Sequence, residues 1–145
     1  MRYGDNIDYL IAAITYLGTH SYYWARTPSN MASELSLDRN KLAAIFDGFP
    51  GIFRKSAEPA PGSKEHFYSL QARYAMREGA GTREPEQVSY IAPLSVEMIS
   101  QLNSFVLHAS QMETEGRKQF WGNIVSVGAA IVAALTAIAV AFLKE

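Results

Sequence analysis

One stretch near the C-terminal end constrains this chain more than any other. From Phe120 to Leu143 the sequence contains no charged residue. A helix rising about 1.5 Å per residue would span roughly 36 Å over that stretch, and a bilayer core is about 30 Å thick. We therefore predict a transmembrane helix over residues 119–143. The alternative is a core helix, which we disfavour because the roughly 120 other residues are few to surround it.

The charges on either side of this stretch predict an orientation. Arg117 and Lys118 precede it, and only Lys144 and Glu145 follow it. Basic residues tend to stay on the cytoplasmic side of a membrane, so we expect residues 1–118 to face the cytoplasm. The N-terminus is unlike an export signal because Asp5 and Asp8 precede its apolar run, which is short. The sequence thus predicts a single-pass, tail-anchored protein whose first partner is the lipid bilayer.

The chain before the apolar stretch begins with an amphipathic pattern. Apolar residues recur at helical spacing from Ile7 to Leu17, which predicts a first helix. Asp5 or Asn6 is placed to cap its free N–H groups, and Gly18 is placed to end it.

Two further helices are predicted from their start signals. Thr27 is a good N-cap, and Pro28 suits the first helical position because its missing N–H would be unpaired there anyway. After a short turn, Asp38 is placed to cap a third helix from Arg39 to Asp47, which Gly48 ends. The residues expected to face inward from these two helices are Met31, Ala32, Leu35, Leu42, Ile45 and Phe46.

The pattern then changes to that of a β-ribbon. Ile52 to Lys55 is predicted as a short strand, Ser56 to Lys64 as a Pro- and Gly-rich loop, and His66 to Leu70 as the returning strand. The predicted fold class is therefore mainly α with a small β-ribbon.

This order of elements resembles the winged-helix family, in which a helix-turn-helix is followed by a β-wing. The resemblance covers about Asn6 to Arg77, and we assign residues 1–77 to a winged-helix-like domain. It implies a binding function, most often to DNA. The residues that carry it are Ala32-Ser33-Glu34-Leu35, Leu37, Leu42, Ile45, Phe53-Arg54-Lys55 and Phe67-Tyr68-Ser69-Leu70.

Two predicted segments connect this domain to the membrane. Residues 78–94 are assigned to a linker with a short strand at Val88 to Ile91, and residues 95–118 to an amphipathic juxtamembrane helix that Ser95 caps. One line of apolar residues on this helix, which we call the seam, has the four-and-three spacing of paired helices. The seam either pairs with another chain or docks on the N-terminal domain. Its members are Met98, Leu102, Phe105, Ala109 and Met112.

Motifs of enzymes are missing from the sequence. There is no cysteine, no Gly-rich phosphate loop and no nucleophile elbow. The histidines His20, His66 and His108 fall on three different predicted elements, without a second ligand at metal-binding spacing. We therefore predict no catalytic residue, no cofactor and no metal.

The winged-helix resemblance implies where a partner would bind. In that family the third helix enters the major groove and the wing contacts the DNA backbone. On this chain the matching candidate nucleic-acid or partner contacts are Arg39, Asn40, Lys41, Lys55 and Lys64. Four carboxylates oppose DNA there, and the chain as a whole is nearly neutral, with 13 basic and 14 acidic residues. We therefore favour a protein partner over DNA. The opposing carboxylates belong to Asp38, Asp47, Glu58 and Glu65.

The apolar stretch also predicts self-association. Small side chains gather on one side of the predicted span, and lipid-embedded helices associate where small residues let their backbones approach. A homo-oligomer through the transmembrane helix is therefore expected. This small-residue face consists of Gly122, Ser126, Ala129, Ala130, Ala133, Thr136 and Ala137.

The function predicted from sequence is a non-enzymatic, membrane-anchored binding or sensing module that faces the cytoplasm and binds a protein through its winged-helix-like domain. One alternative is a membrane-tethered, DNA-binding transcriptional regulator. A second is a small membrane-perturbing effector that oligomerises through its span, an idea motivated by the small size of the chain and by the small-residue face.

Overall fold

The computed structural model describes residues 1–76 and 91–116. The predicted transmembrane helix, its small-residue face and most of the predicted linker lie outside these described residues. Among the residues described, no helix has both the length and the apolar character needed to cross a bilayer.

The described residues form five helices and three short strands. The fold is mainly helical with a small antiparallel sheet, as the sequence predicts. A 3₁₀ turn at Gly4–Asn6 precedes α1. The elements in chain order are α1 (Ile7–Thr19), β1 (Ala25–Arg26), α2 (Pro28–Leu35), α3 (Arg39–Gly48), β2 (Phe53–Pro59), β3 (His66–Leu70), α4 (Gln71–Ala75) and α5, whose described part covers 96–116.

Side-chain caps fix the starts of α2, α3 and α5. The Thr27 hydroxyl oxygen accepts the Asn30 N–H at 3.3 Å, and Pro28 occupies the first turn. Asp38 accepts the Lys41 N–H at 2.6 Å. These contacts satisfy N–H groups that the first turn of a helix leaves unpaired. The predicted starts of α2 and α3 are confirmed.

The cap of α5 is also the predicted one. The Ser95 hydroxyl oxygen accepts the Met98 N–H at 3.3 Å, and the helix begins at the next residue. Of the predicted strand from Val88 to Ile91, only Ile91 is described. It is not in a strand, but its side chain is buried.

The two ends of α1 differ from the prediction. Asn6 occupies the N-cap position without a side-chain cap, and its amide instead donates to the Arg2 carbonyl at 2.7 Å. Gly18 does not end α1, because the helix continues to Thr19. A Cβ at Gly18 would lie only 3.1 Å from Cγ1 of Ile99, so glycine here allows α5 to approach α1 closely.

The sheet has β3 at its centre, in the order β1-β3-β2. Ala25 pairs with Ser69, which defines β1, a two-residue strand too short to be predicted from its sequence. The strand β2 extends to Pro59, so the loop predicted from Ser56 begins too early. The strand is longer than predicted because β3 pairs with it as far as His66, which lies opposite Pro59. The pairing is irregular between Lys55 and Pro59. Proline is tolerated in an edge strand such as β2 because the side of the strand that faces no other strand requires no backbone N–H donor.

The core lies between the helices and the inner face of the sheet, and it includes α5. Val106 is fully buried and Ile99 nearly so. The helix therefore docks on the rest of the fold, which was one of the two arrangements that the sequence left open. Every inward-facing residue predicted for α2 and α3 is buried except Leu35, which is half-buried. The core also contains Leu10, Ile14, Leu17, Phe53, Tyr68, Leu70 and Leu94.

Arg73 of α4 connects three separate parts of the chain. Its side chain is completely buried. The guanidinium donates to the Leu17 carbonyl at 2.6 Å, to the Ile91 carbonyl at 2.6 Å and to the Ala92 carbonyl at 3.0 Å. Because a buried charge is tolerated only when its hydrogen bonds are satisfied, these contacts fix the end of α1 and the approach to α5 relative to α4.

We expect Arg73→Met to destabilise the fold by about 3–5 kcal/mol, because two buried carbonyls lose a charged donor. Urea unfolding of a chain ending at Gly116, followed by circular dichroism, measures the change. Arg54→Met is the matched control. Arg54 is half-buried, and its guanidinium lies over the Tyr74 ring at 3.8 Å, an interaction worth at most about 2 kcal/mol. Equal losses in the two variants would contradict the role assigned to Arg73.

Candidate partner-binding site

The first turn of α3 presents Arg39, but a carboxylate already occupies its side chain. The Arg39 Nε–H donates to Oε1 of Glu65 at 2.6 Å. Glu65 also accepts the Ser29 hydroxyl at 2.7 Å and the Ser29 backbone N–H at 3.2 Å. Glu65 thus connects the end of the β2–β3 loop to the first turns of α2 and α3.

The environment of Glu65 favours its charged form. Burial raises the pKa of this carboxyl, but the hydrogen bonds from Ser29 and Arg39 outweigh burial and hold the pKa below its usual value. A carboxylate placed at the first turn of a helix is also stabilised by the helix dipole. The negative charge of Glu65 is therefore held at this position by its hydrogen bonds.

The other two candidates on α3 are more accessible. Asn40 and Lys41 are exposed. The Lys41 ammonium lies 4.3 Å from the centre of the Tyr9 ring, and the Tyr9 hydroxyl oxygen accepts the Asp38 N–H at 3.2 Å. Lys41 thus keeps its charge in solvent while its side chain packs on an aromatic face.

Lys55 on β2 belongs to a second neutralised cluster. Its ammonium donates to Oδ1 of Asp47 at 3.0 Å, and the same oxygen accepts the Tyr68 hydroxyl at 2.7 Å. Burial raises the pKa of Asp47, but the hydrogen bonds from Tyr68 and Lys55 outweigh it and lower the pKa overall. The pKa of Lys55 is raised by its hydrogen bonds to Tyr68 and Asp47. Both shifts favour the ion pair.

Lys64 is exposed in the β2–β3 loop, and within residues 1–76 and 91–116 it forms no ion pair. The candidates therefore do not supply four free cations. Two of the four cations are paired with carboxylates, and the remaining two lie on different elements.

A cluster that the sequence did not assign lies between α1, β1 and α2. Arg26 forms an ion pair with Glu34, and its guanidinium lies 3.6 Å from the centre of the Tyr23 ring. The hydroxyl of Tyr16 donates to Glu34. The His20 ring packs between two of these aromatic rings in tilted arrangements, with ring centres 5.1 Å from Tyr16 and 4.8 Å from Tyr23. The only sequence signal was the aromatic run Tyr22-Tyr23-Trp24, in which Tyr22 is 81% exposed.

An apolar pocket of about 250 Å³ opens beside α5. Its lining comes from the turn before β2, from β3, from α4 and from α5, and it contains no charged group. The pocket is only indirectly predictable from sequence, through Leu102 and Phe105, which belong to the seam. The lining residues are Gly51, Ile52, Leu70, Ala72, Leu102 and Phe105.

Within the described residues no three side chains of His, Asp or Glu lie together in a way that would hold a metal ion. Comparison with protein families, with characterised proteins and with solved structures finds no match for this chain.

We expect Glu65→Gln to cost about 1–2 kcal/mol of folding stability near neutral pH, because the charged acceptor of Arg39 and Ser29 is lost. The pKa of Glu65 is depressed in the folded state, so its contribution is present above its ordinary value of 4.5 and is lost as the pH falls through the folded pKa. The difference between wild type and variant should therefore shrink in acid.

Urea unfolding at a series of pH values from 7 down to about 3 measures this difference. Glu58→Gln is the matched control, since Glu58 is an exposed carboxylate on the neighbouring strand β2. A Glu65→Gln difference that stays constant across the range would contradict a role for the ionised carboxylate.

Proposed function

We propose that this chain is a non-enzymatic binding module with a winged-helix-like domain, which recognises a protein partner and is held at a membrane by its C-terminal apolar stretch. The order of helices and strands supports the winged-helix-like assignment, since the antiparallel strands β2 and β3 follow a helix-turn-helix pair and β3 lies between β1 and β2 in the sheet. The apolar stretch of the sequence supports the anchor.

The observation that carries the preference for protein over DNA is the pairing of the candidate cations. Duplex binding depends on neutralising phosphates, and each cation contributes by releasing a counterion. Arg39 and Lys55 are already paired, with Glu65 and Asp47 respectively. Breaking these pairs to reach a phosphate would leave a carboxylate next to the DNA, which repels it.

A protein partner is more compatible with the surface of the described fold. Protein interfaces are enriched in aromatic residues and arginine, with ion pairs at their rims. The cluster of Tyr23, Arg26 and Glu34 has that composition, and the neighbouring Tyr22 is exposed to solvent. Paired charges are compatible with a protein partner because they add no net charge to the interface.

The membrane-tethered DNA-binding regulator remains the second candidate. It is favoured by two lysines that no carboxylate neutralises among the described contacts, Lys41 and Lys64, and by the exposed amide of Asn40.

Binding to duplex DNA distinguishes these two candidates. We expect a chain ending at Gly116 to bind DNA no tighter than about 10⁻⁴ M at physiological salt, the weak end of non-specific binding. Fluorescence anisotropy over a salt series measures the affinity.

Binding in the nanomolar range would instead favour the regulator, provided that it depends on the free lysines. In that case the double substitution Lys41→Glu with Lys64→Glu should abolish binding, and the control Arg2→Glu should leave it intact. If DNA binding is absent, purification of the full chain in mild detergent should recover a protein partner.

Sedimentation tests the anchor. We expect the full chain to sediment with membranes and to remain there after alkaline carbonate treatment, whereas a chain ending at Gly116 should stay in the supernatant.

Protease added outside intact cells tests the orientation, and it should spare residues 1–118 if they face the cytoplasm. A full chain that is monomeric and dispersed without detergent would refute the anchor, and digestion from outside would reverse the orientation.

A further inference from the structure

The helix α5 faces the rest of the fold along one narrow line. Ile99 and Val106, seven residues apart, are buried in the core. Seven residues further on, the Glu113 carboxylate accepts the backbone N–H groups of Tyr3 and Gly4, both at 3.1 Å. This line fixes how α5 is rotated against the fold.

The seam lies beside that line and is covered only in its first half. Met98 and Leu102 are half-buried against the core. Phe105 and Met112 are 54% and 60% exposed, although the edge of the Phe105 ring contacts Tyr3. Between them lies Ala109, whose small side chain allows another helix to approach closely. The apolar pocket opens at the same place, next to Phe105.

The four-and-three spacing of the seam continues in the sequence beyond the described residues. From Met112 it passes through Gly116, Gln119 and Asn123 and then enters the predicted span. There it meets four members of the small-residue face, which are Ser126, Ala130, Ala133 and Ala137. The apolar line that the fold leaves open on α5 and the small-residue face of the span therefore share one heptad register.

We propose that the exposed half of the seam, Phe105 to Met112, is the docking surface for a second copy of this chain in a parallel dimer. The proposal builds on the anchor of the proposed function, because two spans inserted with the same orientation place identical residues opposite each other. The symmetric contact buries the exposed Phe105 and Met112 side chains and closes the pocket beside α5. The small-residue face then allows the spans to pack closely below it.

Disulfide cross-linking of the full chain in a cell lysate that retains its membranes tests the dimer. The chain contains no cysteine, so Met112→Cys introduces a single thiol on the seam. Gln111→Cys is the matched control, since it is the adjacent exposed residue and points away from the seam. A disulfide requires Cβ atoms roughly 3.5–4.5 Å apart. With copper-phenanthroline as the oxidant, we expect at least about tenfold more dimer from Met112→Cys than from Gln111→Cys, a difference that proximity of this kind implies.

Two substitutions in the span test the shared register. Ala133→Ile should lower the cross-linking of Met112→Cys severalfold, since it obstructs close approach. Leu135→Ile, on the other side of the span, should leave it unchanged. Equal effects of the two substitutions would overturn the shared register and with it the proposal.

The remaining outcomes each decide the matter. No cross-link at Met112, equal cross-links at residues 111 and 112, or a cross-link only to a different protein would overturn the dimer. Sedimentation of the same samples reports on the anchor separately. A chain that sediments without cross-linking refutes the dimer and leaves the anchor intact. A chain that cross-links at Met112 without sedimenting supports the dimer and refutes the anchor.

Discussion

The buried guanidinium of Arg73 is the interaction on which the described fold depends. A charge in a protein interior is costly unless hydrogen bonds replace the water that it loses. Here the carbonyls of Leu17, Ile91 and Ala92 receive its donors, so the end of α1, the short helix α4 and the segment leading to α5 must come together. This contact explains why α5 packs in the same core as the helix-turn-helix pair and does not extend away from it.

The surface shows the same principle at lower cost. Glu65 holds the β2–β3 loop against the first turns of α2 and α3. Asp47 of α3 forms an ion pair with Lys55 of β2 and so connects the helix to the sheet. These carboxylates stabilise local geometry, and they also cancel the cations that a DNA-binding surface would need. Neutral polar character with exposed aromatic groups remains, which suits recognition of a protein. The neutralised cations and the exposed aromatic groups support a protein-binding module, and the apolar stretch of the sequence supports its attachment to a bilayer.

Prediction from sequence succeeded where the determining interaction is local. Thr27 and Asp38 act on N–H groups three residues away, so their caps follow from the sequence and the structure contains both. Prediction failed where a distant partner decides. The strand β1 exists because β3 pairs with it, and Gly18 lies inside α1 because Ile99 packs against it. The candidate residues lie on the predicted elements, but the pairing of Arg39 with Glu65 and of Lys55 with Asp47 depends on contacts between distant residues.

The sequence by itself determined the N-caps of α2, α3 and α5 and an apolar stretch long enough for a bilayer, since each of these depends on neighbouring residues or on composition. Tertiary structure alone decided which side of α5 is covered. The seam contains five apolar residues at regular spacing. Met98 and Leu102 pack against the core, whereas Phe105 and Met112 remain exposed. The rotation of α5 is set by contacts with residues far away in the chain, and spacing within one helix carries no information about them.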